Sequence, residues 1–461
     1  MIVMKFGGTS VEDAAAMRNV SAIVARELDR APLVVVSACA GVTNALVAVA
    51  QAGAAGAFAD VRVSVGALRD RHRGIALDLL EKGAAPVLDQ VEMLFDRLLA
   101  RVTTPLSHLE LLPELLDDVT SYGERLSSLL LAACMEQQGT PVYLLDAREV
   151  LVTDATFTSA VPLQEPTDDR MSGRCRPHLG RGRVVVTQGF IGSTKEGKTT
   201  TIGRGGSDYS AAIFGASLGA EEIQIWTDVD GILTADPSIL PEARRIRRMT
   251  FREAAELAYF GARVLHPKTI LPAVQKGIAV KVLNSRRPRQ EGTTIAIERP
   301  DHPGCIVKSI AYKEGITLLR IVSTRMLMAH GFLAKLFEVF AAHKKAVDVI
   351  ATSEIGVSLT IDDDAGLDLL LDHLSGFAEV DVQQRRAVLC VVGENMRDTR
   401  GVAARFFGAL ERAGVNVEMV SHGGSAINLT VVIREEDILA SVGALHQEFF
   451  ATVPETNEIF Q

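Results

Sequence analysis

Three short glycine-rich stretches carry the residue types that hold anions. Lys5-Phe-Gly-Gly-Thr-Ser10 continues from the end of the apolar run Ile2–Phe6 and precedes an amphipathic segment. Gly7 and Gly8 let a backbone approach an anion closely, and Ser10 with Asp13 has the spacing of a capping box. Ser37-Ala-Cys-Ala-Gly-Val-Thr-Asn44 follows a second apolar run, and Gly203-Arg-Gly-Gly-Ser-Asp208 opens a helical segment. Backbone N–H groups at strand ends and helix starts bind oxyanions, and Lys5 and Arg204 add positive charge. Plainer readings stand beside these: Lys5 as a surface lysine, and Ser10 and Asp208 as ordinary helix caps. For Lys5 the ligand reading gains from its place at the end of a buried strand, where open α/β sheets form ligand crevices.

A fourth stretch looks better than it is. Gly192-Ser-Thr-Lys-Glu-Gly-Lys-Thr199 fits the phosphate-loop pattern G-x-x-x-x-G-K-[ST] in every letter. That pattern works only between a strand and a helix. Arg183–Gln188 reads as a buried strand, but Lys198 is followed by Thr199-Thr-Thr-Ile-Gly-Arg-Gly-Gly206. Four β-branched residues and three glycines in those eight positions do not start a helix. The segment predicts a β-hairpin with Lys195 and Lys198 in solvent, and a helix from Ser207 through Leu218. The phosphate site is expected elsewhere.

The elements that must position these residues alternate in the α/β manner over the first ~295 residues. Strand Ile2–Phe6 leads to helix Val11–Leu28, and strand Leu33–Ser37 to a helix from Thr43. Helical material runs from Arg62 to Gln138. Strands follow at Val142–Leu145, Arg183–Gln188 and Ile223–Thr227, then helices within Phe251–Lys276 and strands Ala279–Leu283 and Thr293–Ile297. Arg299-Pro-Asp-His-Pro-Gly304 reads as a linker. Beyond it lies a repeat. Gly331-Phe-Leu-Ala-Lys-Leu-Phe337 aligns with Gly401-Val-Ala-Ala-Arg-Phe-Phe407, 70 residues later, without gaps from Leu319/Leu389 to Thr360/Thr430. Each copy reads strand, glycine-initiated helix, strand, strand, and paired units of this kind suggest a module that binds a small ligand.

Composition narrows the class. The 461 residues are 48% hydrophobic and 23% charged, within the soluble globular range. A net charge of −9 and a pI near 5.7 argue against a general nucleic-acid binder. The arginine clusters at Arg170–Arg183 and Arg244–Arg248 read as solvated faces or local anion contacts. Five scattered cysteines with no C-x-x-C fit a reducing cytoplasm, with neither a metal cage nor a disulfide frame. The apolar start Met1–Phe6 is too short for a signal peptide. The run Ala45–Ala59, broken by Gln51, Gly53 and Gly56, falls short of the ~20 apolar residues of a membrane span. A cytoplasmic protein without nucleic-acid or membrane partners is expected.

Five segments together resemble a known family. Lys5-Phe-Gly-Gly-Thr-Ser10, Ser121-Tyr-Gly-Glu-Arg125, Thr199–Asp208, Trp226-Thr-Asp-Val-Asp-Gly231 and Gly261-Ala-Arg-Val-Leu-His-Pro267 are similar to the signatures of aspartate kinases, in the family's order. These are amino acid kinases with a tandem pair of ACT domains, and the resemblance covers nearly the whole chain. It is nearest the monofunctional lysine-sensitive type, with no dehydrogenase expected after the second repeat. The resemblance implies a three-layer α/β/α catalytic domain over residues 1–298, with a largely parallel sheet. It also implies a regulatory region over 306–461, with a first ACT domain at about 315–384 and a second at about 385–461, strand 306–312 being available to the latter. The implied reaction is phosphoryl transfer from ATP to the β-carboxylate of L-aspartate.

By this resemblance Lys5 reaches the transferring phosphoryl group and Asp208 orients it. Thr43, Glu124, Arg204 and Ser207 hold aspartate, with Arg204 suited to the α-carboxylate and Glu124 to the ammonium. Gly7, Gly8, Thr9, Ser37, Thr227, Asp228, Leu233, Asp236 and Arg263 serve the nucleotide. Mg²⁺ sits mainly on phosphate oxygens and water, with no protein metal cluster expected. Three positions depart from the family pattern: Leu233 where tyrosine is common, Ser238 where arginine often follows Asp-Pro, and Arg263 in place of lysine. All three fall on the nucleotide side. Kinases for glutamate or N-acetylglutamate share the fold but generally lack the tandem tail, and an inactive amino-acid sensor is the reading from a different class.

For regulation, the first repeat carries Met326, Phe332, Leu333, Val347, Asp348, Ser353, Glu354 and Ile355, an expected effector site for L-lysine. In the second repeat the counterparts of Asp348 and Glu354 are Glu418 and Gly424, so the copies are not equivalent. Ala346 stands where lysine-sensitive relatives often have serine. A homodimer, or a dimer of dimers, through the ACT domains is expected.

Overall fold

The computed structural model describes all residues except 81–82, 105–111, 261–266, 298–305, 324–329, 423–425, 452, 454–458 and 461. It divides into two compact units. The first comprises Met1–Ile232, Arg247–Phe251 and Val264–Arg299. The second comprises Leu233–Ile246, Arg252–Arg263 and Pro300–Gln461, so two excursions before residue 298 cluster with the C-terminal residues.

The first unit is built on β1 (Ile2–Phe6), β2 (Pro32–Val36), β3 (Val142–Leu145), β4 (Val184–Gln188), a hairpin of β5 (Ile191–Ser193) and β6 (Thr199–Thr201), then β7 (Glu222–Thr227), β8 (Arg248–Thr250), β9 (Ala279–Asn284) and β10 (Thr293–Ala296). All but the hairpin form one sheet in the order β3-β4-β2-β1-β7-β9-β10-β8. It is parallel except where β10 meets β9. The central strands are buried along their whole length, which is why they read as continuous apolar runs. Helices pack around them: α1 (Ala14–Ala25), α2 (Val42–Ala54), α3 (Phe58–Leu79), α4 (Ala85–Thr103), α5 (Leu112–Thr120), α6 (Tyr122–Gln137), α7 (Gln164–Leu179) and α8 (Gly206–Leu218). The expected α/β class is what the structure has.

Three local differences have physical causes. α1 starts at Ala14, not Val11, because Gly8–Ser10 form a 3-10 turn and Ser10 Oγ donates to Ser285 Oγ at 2.8 Å. Ser10 is therefore not the cap; Asp13 is, accepting from the Ala16 N–H at 2.8 Å. Asp208 is not a cap either. The cap of α8 is Gly205, in the left-handed region at φ 71°, and Asp208 is the third residue of the helix. Helix α7 has no counterpart in the sequence reading. Its strongly polar composition and internal Pro177 hide a buried stripe of Thr167, Met171, Cys175 and Leu179 at four-residue spacing.

Two further helices follow, α9 (Phe251–Tyr259) and α10 (Pro267–Lys276). The second unit then runs β11 (Ser309–Val322), α11 (Phe332–Ala342), β12 (Ile350–Thr352), β13 (Gly356–Ile361), α12 (Leu367–Ser375), β14 (Glu379–Val392), α13 (Val402–Arg412), β15 (Met419–His422), β16 (Asn428–Arg434) and α14 (Ile438–Phe450). β14 and α13 start 70 residues after β11 and α11 and have their lengths, so the repeat extends beyond the aligned residues. One antiparallel sheet, β12-β13-β11-β14-β16-β15, holds both copies. The later half of β11 (Ile316–Val322) pairs with the start of β14, and Ser309–Lys313 pair with Val388–Val392. The first strand segment is thus lent to the second copy. Among the described residues, no helix is long and apolar enough to cross a membrane.

Candidate active site

Glycine turns at the ends of β1 and β2 and at the start of α8 enclose a cavity of about 590 Å³. Lys5, Gly8, Ser37, Thr43, Glu124, Arg204, Ser207 and Asp208 all line it, so the structure brings these expected site residues together. Close backbone approach explains Gly8: a Cβ there would lie 2.9 Å from the Ala38 carbonyl oxygen. The N-termini of α2, after Gly41, and of α8, after Gly205, both open onto the cavity. Each presents first-turn N–H groups and the positive end of a helix dipole.

Lys5, the penultimate residue of β1, reaches Asp208 with Nζ–Oδ1 2.6 Å, and both side chains are largely buried. Glu124 sits in the first turn of α6 and is 2% exposed. Its Oε1 accepts the Ala38 N–H at 3.1 Å, while Oε2 has no hydrogen-bond partner among the described residues. Burial pushes its carboxyl up to about 8, against the Ala38 N–H, which favours the charged form. Arg204 lies exposed between Gly203 (φ 79°) and Gly205 (φ 71°), two left-handed positions that turn the chain sharply around it. Cys39 also lines the cavity, but burial pushes its thiol up to about 12, so it is no nucleophile near neutrality.

Not every expected residue joins this group. The Gly7 N–H donates to the Trp226 carbonyl at 3.1 Å, so that amide is not available to a phosphate, contrary to expectation. Thr9 lines a separate cleft with Ser10, Asn19 and Ser285. Thr227 ends β7 and Asp228 follows it, at the same sheet end as Lys5, with Thr227 Oγ1 donating to Asp228 Oδ1 at 3.2 Å, but neither lines the cavity. Leu233 and Asp236 fall in the second unit. There the Leu233 carbonyl accepts from Ser309 Oγ at 2.8 Å, and Asp236 accepts from Ser238 Oγ at 2.6 Å and Tyr312 OH at 3.2 Å. Arg263 lies outside the described residues, as does Met326.

The hairpin settles the false phosphate loop. β5 and β6 pair antiparallel, a strand and not a helix directly follows Lys198, and Lys198 Nζ pairs with Glu114 at 2.9 Å in solvent. An exposed ion pair of this kind contributes little. Lys198→Ala is therefore expected to leave kcat and both substrate KM values within a few-fold in steady-state assays.

Several cavity residues escaped sequence reasoning: Asp117, Thr120, Thr158, Phe190 and Thr201. Thr158 and Phe190 adopt positive φ, 70° and 67°, a conformation no residue-type rule assigns to threonine or phenylalanine. Asp117, 1% exposed, accepts three hydrogen bonds, and burial raises its pKa. A buried acid inside an amphipathic helix was the only available signal.

In the first repeat, Phe332 and Val347 pack on one core cluster. Asp348 is already engaged, by Lys313 Nζ at 3.0 Å and Tyr259 OH at 2.9 Å. Leu333, Ser353, Glu354 and Ile355 are exposed, the last three on the turn between β12 and β13. At the equivalent place in the second repeat, Glu418 pairs with Arg386 Nε at 2.6 Å.

The family model described as "Amino acid kinase family" matches residues 1–284, and an ACT domain model matches 389–449. The chain is 37% identical over 460 residues to lysine-sensitive aspartokinase 3 of Escherichia coli (strain K12), covering 98% of this chain and 99% of that protein. It is 35% identical to chloroplastic aspartokinase 2 of Arabidopsis thaliana, over 98% of this chain and 85% of that one. Among solved structures it resembles E. coli aspartokinase III in complex with aspartate and ADP (R-state), with a TM-score of 0.82, 36% identity, and coverage of 98% and 100%. The same enzyme with lysine and aspartate (T-state) gives a TM-score of 0.80 at 36% identity, covering 98% and 99%.

Proposed function

The chain belongs to the aspartokinases, amino acid kinases that carry ACT domains, and from that premise we propose how its own residues bind and phosphorylate L-aspartate and where L-lysine acts. The observation that carries the substrate assignment is Glu124: a buried carboxyl whose Oε2 has no hydrogen-bond partner among the described residues, in the wall of a cavity that also holds Lys5 and Arg204. An amino acid supplies what is missing there. Its ammonium meets Glu124, its α-carboxylate meets the planar fork of Arg204, and Thr43 and Ser207 contribute hydroxyls.

The acceptor β-carboxylate is already ionised at neutral pH, with an ordinary pKa of ~3.9, so no general base is needed. One of its oxygens forms the new bond to the γ-phosphorus of ATP as the bond from that phosphorus to the β,γ-bridging oxygen breaks. ADP leaves and 4-phospho-L-aspartate remains, as in a first step toward lysine, threonine and methionine. The obstacle is bringing an anion to a polyanion, so catalysis rests on positioning and charge neutralisation. Lys5 supplies a cation fixed by Asp208, and the amide of Gly8, those of the Ser37–Thr43 turn other than Ser37, Ala38, Ala40 and Val42, which are bonded within the fold, and the start of α8 offer N–H donors to phosphoryl oxygens. Thr227 and Asp228 remain proposed neighbours of the nucleotide from their place at the sheet end. Mg²⁺ enters as part of the MgATP substrate, held chiefly by phosphate oxygens and water, and screens phosphate charge.

We place the catalytic domain at 1–298 and the regulatory region at 306–461. The ACT units divide near 384/385, and Ser309–Lys313 complete the second. Assembly as a homodimer or dimer of dimers through these units is the proposed state. The four described cysteines are buried free thiols, which suits the reducing cytoplasm. L-Lysine is the proposed effector, at Phe332, Leu333, Val347, Asp348, Ser353, Glu354 and Ile355. The exposed Glu354 gives an acceptor for one of its ammonium groups, and Asp348, which Lys313 and Tyr259 also hold, gives one for the other. Millimolar L-lysine should depress activity more than L-threonine does, and Glu354→Ala should abolish that inhibition while leaving uninhibited kcat nearly intact. Activity flat in lysine but falling with threonine would refute the effector.

The kinase assignment is tested by following ADP. Its release from MgATP should depend on added L-aspartate and stay at background without it. Equal release with and without aspartate would contradict the substrate.

A further inference from the structure

We infer that Asp117 is a positioning residue for the amino-acid substrate: it braces, through Thr201 and Thr158, the glycine turn that presents Arg204. This rests on the assignment of Arg204 to the substrate carboxylate. Asp117 projects from α5 into the wall of the cavity and is almost completely buried. Its Oδ1 accepts from Thr201 Oγ1 at 2.6 Å, and its Oδ2 accepts from the N–H groups of Thr201 at 3.0 Å and Thr158 at 2.9 Å. One carboxylate therefore ties together two segments distant in sequence. The tie is completed by the Ala160 N–H donating to the Thr201 carbonyl at 2.9 Å.

Both tied segments bear on Arg204. Thr201 ends β6, and only Ile202 and Gly203 separate it from Arg204. On the other side, a Cβ at Gly203 would lie 3.5 Å from the Thr158 carbonyl oxygen, so the turn rests against the loop that Asp117 holds. Thr158 keeps a left-handed φ of 70°, a strained conformation for threonine that persists only where its surroundings hold it. Arg204 itself is exposed and flanked by two glycines, which give it no stiffness of their own. Within the turn the Gly206 N–H donates to the Gly203 carbonyl at 3.0 Å; further rigidity comes from outside it, and Asp117 is a buried charged group that reaches both neighbouring segments. With both of its oxygens already engaged by protein donors, Asp117 acts through Arg204. A second link from the same helix, Glu114 to Lys198, sits at the hairpin tip and is solvent-exposed.

The test is a KM split. Asp117→Asn turns an acceptor into a donor facing N–H groups, and loss of one charge-assisted hydrogen bond corresponds to about ten-fold. Asp117→Asn should raise KM for aspartate by about that factor, with KM for ATP and kcat within about three-fold. Thr201→Val should raise KM for aspartate measurably, while Thr201→Ser, which keeps the hydroxyl, should restore it. In an Arg204→Ala background Asp117→Asn should add nothing further, since coupled residues are non-additive. Equal effects on aspartate and ATP, or full additivity with an Arg204→Ala effect that is itself large, would overturn the Asp117 inference alone. An Arg204→Ala protein with unchanged KM for aspartate would overturn the role of Arg204 and this inference with it. Should Asp117→Asn fail to fold, the Thr201 pair decides: Thr201→Val indistinguishable from wild type overturns the inference.

Discussion

Lys5→Ala should lower kcat by roughly 10²–10³, the usual cost of removing one preorganised group that stabilises transition-state charge. Preorganisation is visible in the pair with Asp208: 2.6 Å, with only 11% and 15% of the two side chains exposed. The ammonium is held in place before substrate arrives, at the end of a strand buried along its length. KM for aspartate should change much less, because Lys5 is assigned to the transferring group and not to the amino acid. Single-turnover measurements with MgATP would separate chemistry from binding. The contrast is with Lys198, whose side chain is 55% exposed. If Lys198→Ala proved the more damaging change, the nucleotide site would lie at the hairpin and not at Lys5.

The second large effect concerns Glu124. Truncating one partner of a buried charge pair typically costs 2–5 kcal/mol, so Glu124→Gln should raise KM for aspartate by about 10² while KM for ATP stays within a few-fold. Arg204→Ala should do the same in direction and, being an exposed contact before binding, by about ten-fold or more. Equal effects on the two substrates would remove both residues from the amino-acid half. Glu124 also makes a pH prediction. Its carboxyl titrates at about 8 in the folded protein against an ordinary 4.5, so at pH 7 it is mostly neutral and an incoming ammonium must displace its proton. The kcat/KM for aspartate should therefore rise with pH toward a plateau above about 8, and that rise should vanish in Glu124→Gln. Stability moves the opposite way. The unfolded chain releases this proton near 4.5 and the folded chain only near 8, so the folded state loses stability from Glu124 as pH rises across that window. Gln is isosteric with the protonated acid and avoids the loss. Glu124→Gln should melt above the parent at pH 8, with the gap closing toward pH 5.

What could be read from the sequence was whatever one local stretch determines. Lys5, Gly8 and the Ser37–Thr43 turn follow apolar strands, and Arg204 and Asp208 open a helix, so their places follow from strand ends and helix starts. The hairpin was legible for the same reason: β-branched residues after Lys198 cannot begin a helix. Asp117 was not legible, because its function is a set of contacts to Thr158 and Thr201, 41 and 84 residues away. Phe190 was missed because its role depends on a positive φ imposed by packing around Gly206 and Ser210. Gly7 shows the converse error: a glycine in an anion-binding pattern whose N–H is used within the sheet end, on Trp226. Leu233 and Asp236 follow β7 closely in sequence, yet their hydrogen bonds are to Ser309 and Tyr312 of the second unit. Sequence proximity to a strand end did not predict that.

The most direct test of the central claim is trapping of the product. An acyl phosphate reacts with hydroxylamine to give a hydroxamate, so the purified protein is incubated with MgATP, hydroxylamine and, in parallel, L-aspartate, L-glutamate or N-acetyl-L-glutamate. ATP-dependent hydroxamate should form with L-aspartate and stay at background with the other two. Greater yield from L-glutamate or N-acetyl-L-glutamate, or none from any of the three, would contradict an aspartate kinase built around Lys5, Glu124 and Arg204.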